Sequence, residues 1–205
     1  MNTGNNMKSV FIVKRTRSLQ QPRSFQTERT QLHEKGAERM LNVLYQVETE
    51  LSHLLLDEAS WNSLYIDYHP PIVERLWRPW REYRISLHRI HPCEPEEALF
   101  HPHPWPSAMR VLAGEYEMAV GYGPGESAPP IAARMIARGA FCYEMTEPDA
   151  WHYVRPIDAP TLSVMVTGVP WTRPSPTPGK PLRALTAEER SALFHFFHQH
   201  YPVTR

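Results

Sequence analysis

Hydrophobic residues recur at two different periods along this chain, and the change of period divides it. Between Thr27 and about Asp57, Met40, Leu41, Leu44, Val47, Leu51 and Leu54 to Leu56 return at helical spacing with charged residues between them. This predicts an amphipathic helix, with Gly36 as a point of division. The Met/Leu stripe is too short for a coiled-coil seam and reads as the face that covers a sheet. The segment Pro71–Arg78 reads as a further short helix opening on proline. Residues 28–82 are therefore expected to form a helical segment.

From Tyr83 the period becomes two. Ile85 and Leu87 fall on one side, with Arg84, Ser86 and His88 on the other, as in a half-buried strand. Met109 to Ala113, a turn at Gly114, and Tyr116 to Tyr122 read as a hairpin. Ile131–Ile136 and Phe141–Met145 read as strands around Gly139. Trp151 to Val154 is another, and Thr161–Thr167 alternates with Leu162, Val164 and Val166 on one face. Many short strands with Gly/Pro turns predict a mainly β domain, closed or double-sheeted, such as a jelly roll. Val169–Pro181 is proline-rich and predicts an extended wrap. Thr186 and Glu189 then form a capping box that opens a helix through about His200, with Leu193, Phe196 and Phe197 as its apolar side. The expected organisation is a tail (1–27), the helical segment (28–82), a barrel (83–171), and a wrap with the C-terminal helix (172–205).

Composition narrows the function classes. The 205 residues suit one domain with its own core. Lys and Arg number 22, as do Asp and Glu, so there is no excess of positive charge for nucleic acid. No apolar run approaches the roughly 20 residues of a membrane span. The basic segment Met1–Thr27 has too short an apolar centre for a secretory leader and reads as a flexible or partner-contacting tail. Two cysteines, Cys93 and Cys142, imply no disulfide framework and suit a reducing, cytoplasmic setting. Exposed sheet edges and the frequency of two-fold assemblies lead us to expect a homodimer.

The candidate chemistry lies in histidines. His101 and His103 sit one residue apart in an extended segment, so both rings point the same way. His152, in a later strand, is the third imidazole that could reach the same metal ion. Neutral imidazoles accept iron, zinc, copper or nickel, so the ligands alone do not choose the metal. Such a set leaves a divalent ion's charge to be balanced by water or an anion. His88, His91, His195, His198 and His200 read as surface residues.

The stretch from about Tyr83 to Trp171 resembles the cupins. His101, His103 and Gly114 match the first cupin motif, with Ser107 where that motif usually has a glutamate ligand. Pro148 to His152 matches a shortened second motif. The three-histidine set is similar to the cysteine dioxygenase branch. That resemblance implies a single double-stranded β-helix, an Fe(II) cofactor, with zinc, nickel, manganese or copper as alternatives, and a dioxygenase reaction. It implies that one of Arg75, Arg78, Arg81 or Arg84 holds a substrate carboxylate, and it does not say which. The branch's supporting serine matches Ser163, whereas its histidine and tyrosine fall on Met165 and Thr167. The expected pocket, formed by Trp105, Ser107, Met109, Trp151, Ser163 and Met165, is therefore more apolar than one for cysteine. A small anionic thiol, organic acid or diketone is the expected substrate. An isomerase or a small-molecule-binding cupin is the alternative.

Overall fold

In a computed structural model of the chain, the residues described are 39–172 and 176–203. The tail expected over 1–27 and the division at Gly36 lie outside them. Helix α1 spans Met40–Leu56, and a single 3₁₀ turn follows at Glu58–Ser60. Ten strands come next: β1 Asn62–Ile66, β2 Val73–Trp80, β3 Tyr83–Ile90, β4 His101–Pro102, β5 Ser107–Ala113, β6 Glu115–Tyr122, β7 Ala133–Arg138, β8 Cys142–Met145, β9 Ala150–Pro156 and β10 Thr161–Thr167. Helix α2, Ala187–His200, closes the order. The strands form a six-stranded sheet, β1-β2-β3-β10-β5-β8, and a four-stranded sheet, β4-β9-β6-β7, with antiparallel pairing throughout. This is the mainly β, two-sheet barrel with flanking helices that the alternating pattern predicts.

One expectation is overturned. Pro71–Arg78 is not helical. Val73–Trp80 is strand β2, paired along its whole length with β3, and β1 pairs with β2 in turn. The six-stranded sheet therefore begins at Asn62, ahead of Tyr83. The proline suggested a helix start, but Val73, Trp77 and Trp80 are β-branched or aromatic residues that suit a pleated, half-buried surface. Pairing with β3 decides the matter.

Both faces of the six-stranded sheet are covered. Leu76, Ile85, Leu87, Ala108, Val164 and Val166 meet Val43, Leu44, Val47, Leu51 and Leu55 of α1 and Leu193, Phe194 and Phe197 of α2. Phe194, not Phe196, completes the buried side of α2, and its ring lies edge-on to Trp61 at 6.4 Å. Each fully buried Leu, Val or Phe here contributes about 1.5–3 kcal/mol. The opposite face meets the four-stranded sheet through Met109, Val111, Tyr116, Met118, Ala137 and Met165, which fill one half of the barrel. The capping box of α2 forms as its sequence predicts: Glu189 N–H donates to Thr186 Oγ1 at 3.2 Å, and Thr186 N–H donates to the Glu189 carboxylate at 2.7 Å. Gly114 turns the β5–β6 hairpin with φ of +78°, and a Cβ there would meet the Pro160 carbonyl oxygen at 2.9 Å. Among the described residues no helix is long and apolar enough to cross a membrane.

Candidate metal centre

The three histidines come together because of a short strand in a fixed register. β4 has only two residues, since Pro102, Pro104 and Pro106 supply no N–H to a ladder. Those two residues still pair with β9, and His101 stands directly opposite His152. His103 follows with the same orientation as His101. Ring centroids lie 5.1 Å apart for His101 and His152, 4.2 Å for His103 and His152, and 5.6 Å for His101 and His103. One ligand nitrogen from each falls within 4.8 Å of the others.

The rest of each ring shows how it would serve a metal. His101 Nδ1–H donates to the Leu99 carbonyl at 2.8 Å, which leaves Nε2 free. His103 Nδ1 meets the Ser107 hydroxyl at 3.1 Å, which does the same. Ser107 is thus a support for a ligand and not a ligand. His152 Nδ1 is buried without a partner among the described residues. Burial depresses all three: His101 to about 4, and His103 to about 3 with His101 and Arg75 adding repulsion. His152 is also pushed well below its ordinary value, by burial and then by the other two rings. The set is neutral at physiological pH and can ligate without first shedding protons. An ion fits these residues: it would take one nitrogen of His152 and the two Nε2 atoms that the bonds to Leu99 and Ser107 leave free. Manganese, which favours oxygen donors, fits this set less well than iron, zinc, nickel or copper.

The histidines open onto a cavity of about 160 Å³, roughly the volume of five waters. Met109, Met165 and Trp105 line it. Trp151 does not. It precedes His152 on β9, so its side chain leaves by the opposite face, donates from Nε1 to the Gly123 carbonyl at 3.0 Å and lies 5.8 Å from the Phe100 ring. Ser163 is buried and does not line the cavity, and its hydroxyl has no partner among the described residues.

The four arginines separate. Arg75 lines the cavity. Arg78, three positions along the same strand, falls on the other face, donating to the Leu54 carbonyl at 3.2 Å. Arg81 sits in the β2–β3 turn, bonded to Glu50 at 3.0 Å and to Gln46 at 3.1 Å. Arg84 is exposed over the Trp77 ring. Among the described residues no carboxylate pairs with Arg75. Burial, with repulsion from Arg84, pushes its guanidinium down to about 10, which measures how poorly the charge is compensated.

Three cavity residues escaped the sequence reading. His88, expected at the surface, is 2% exposed and accepts a hydrogen bond from Arg75 Nε at 2.9 Å. Alternation had placed it opposite Ile85 and Leu87. The alternation alone predicts that this side faces solvent, but the second sheet closes over it and buries His88. His69 and Tyr68 come from the β1–β2 connection, which no periodic signal marks.

No protein-family model matches the chain, and no curated protein matches it. Solved structures do. The hydroxypropylphosphonic acid epoxidase of S. wedmorenis aligns with TM-score 0.41 at 16% identity, over 54% of this chain and 56% of that one. AerE from Microcystis aeruginosa aligns with TM-score 0.41 at 17% identity, over 62% and 54%. A structure from a study of the DMSP lyases RdDddP and RnDddQII aligns with TM-score 0.33 at 13% identity, over 52% and 46%. The chain spans about half the length of the structures it matches. At these scores the functional reading rests on the chain's own geometry.

Proposed function

We propose that this chain is a three-histidine, metal-dependent oxygenase, with iron(II) as the metal, acting on a small anionic organic substrate: a thiol, an organic acid or a diketone. One observation carries the proposal. A single small cavity joins three neutral imidazoles, His103 and His152 buried and His101 half-buried, to Arg75, a cation with no carboxylate partner among the described residues. A bound anion would balance both the metal's charge and the guanidinium. Iron bound by His101, His103 and His152 would supply oxygen activation and open positions for the substrate.

The chain's own residues have defined work in this scheme. Arg75 binds and orients the anion. Met109, Met165 and Trp105 exclude water from the substrate's apolar body. Leu99 and Ser107 fix the ring planes of His101 and His103. The cavity, at about 160 Å³, has room for the reacting end of a small substrate.

The test mixes anaerobic, iron-loaded protein with small thiols, organic acids and diketones, then admits oxygen. Uptake that is lost in both His152→Ala and Arg75→Met supports the proposal. A non-redox isomerase or binding protein is the rival, and His69 favours it. Its Nδ1 is engaged by the Pro70 carbonyl at 3.1 Å, so Nε2 is the basic nitrogen of a ring on the cavity wall. Equal binding of the panel by zinc- and iron-loaded protein, with no oxygen uptake, would select that rival. Conversion that needs no oxygen and fails in His69→Gln would identify it as an isomerase.

A further inference from the structure

We infer that His88 is a positioning residue, which holds the Nε edge of Arg75 and so presents the two terminal nitrogens of the guanidinium to a two-oxygen anion. This rests on the anionic-substrate reading above and specifies how that substrate is selected. Arg75 and His88 are cross-strand partners on β2 and β3, and both line the cavity. Arg75 Nε–H donates to His88 Nε2 at 2.9 Å. A guanidinium has no acceptor, so Nε2 must accept and the neutral ring carries its proton on Nδ1.

A carboxylate can meet a guanidinium through two parallel N–H pairs, one including Nε and one made of both terminal nitrogens. His88 occupies the first edge. What remains is an end-on fork in one orientation, which recognises a carboxylate by shape as well as by charge.

The burial of His88 argues against a packing role. It is 2% exposed, and its Nδ1 has no partner among the described residues. Ser163, its cross-strand neighbour on β10, is fully buried, and its hydroxyl is also unpartnered. Cross-strand Cβ atoms stand about 5 Å apart, so one water or a small shift would join Nδ1–H to that hydroxyl. An aliphatic residue would fill this layer without such desolvation costs. The imidazole is explained by what it does to Arg75.

The test needs no knowledge of the natural substrate. Cobalt(II)-loaded protein is titrated with mercaptoacetate and with mercaptoacetamide, and binding is followed by the thiolate-to-cobalt charge-transfer band. Both probes reach the metal through sulfur, and only the first carries a carboxylate. The wild-type protein is expected to prefer mercaptoacetate by at least about tenfold. His88→Asn, whose amide is too short to reach Arg75 Nε, should lose most of that preference while binding one equivalent of cobalt and the amide probe as before. His88→Gln, whose carbonyl can reach, should restore it to within about threefold of wild type.

A full preference in His88→Asn, or a loss in His88→Gln as large as in His88→Asn, overturns the inference. No preference in the wild type overturns the anionic-substrate reading itself. Should His88→Asn fail to fold, Arg75→Lys decides. It keeps the charge and lacks the fork, so its preference should fall about tenfold. Full retention there would overturn the inference.

Discussion

Acid should unfold the metal-free protein far sooner than a typical domain of this size, and the buried histidines set the scale. In the unfolded chain an imidazole titrates near 6.5. In the folded chain His101 sits at about 4 and His103 at about 3, while burial holds His88 and His152 well below the ordinary value. The folded pKa values are depressed, so the stabilisation is complete above 6.5 and is lost as pH falls through the window from 6.5 towards 3–4. At pH 5 the unfolded chain has bound a proton at almost every one of these positions, whereas folded His101 and His103 have bound almost none. Linkage then costs roughly 2 kcal/mol per histidine relative to pH 7. His101 and His103 together remove roughly 4 kcal/mol, with His88 and His152 acting in the same direction, against a total stability of about 5–15 kcal/mol for a typical domain. His69, also lowered by burial, acts in the same direction. Urea unfolding of chelator-treated protein, followed by tryptophan fluorescence at pH 7, 6 and 5, measures the effect. The midpoint should fall by more than about 1 M between pH 7 and 5. A midpoint unchanged over that range would show that the rings protonate in the folded state, and that the neutral, preassembled cluster is wrong.

Purified wild-type protein should carry close to one equivalent of metal, and His103→Ala should carry little, by elemental analysis. Ser107→Ala should retain the site but weaken metal affinity by about 10–100-fold, because it frees His103 Nδ1. Thr186→Ala removes the capping box of α2 and should cost about 1 kcal/mol, a fall of roughly 2–4 °C in Tm, with metal content unchanged. Light scattering at micromolar concentration should give twice the chain mass, and a monomer mass would refute the homodimer we propose.

The sequence by itself determined what depends on neighbours along the chain. The stripe from Met40 to Leu55 marks α1, Thr186 and Glu189 mark the start of α2, and alternation marks β3, β6 and β10, because backbone period and capping are local properties. The pairing of His101 with His103 was legible for the same reason, as both belong to one extended segment. Its union with His152 was expected from the order of strands and histidines and from the resemblance, and is achieved by the β4–β9 register, which joins residues some fifty positions apart. Only the tertiary structure decided which side of each strand faces the cavity. Period two separates Arg75 from Arg78 and His152 from Trp151, but it does not say which of each pair points inward. The covering of both faces of the six-stranded sheet turned His88 from an expected surface residue into a buried partner of Arg75. Hydrogen bonding to β3 made Val73–Trp80 a strand where a proline had suggested a helix. In each case the deciding energy comes from burial and pairing between segments distant in sequence, which no local pattern records.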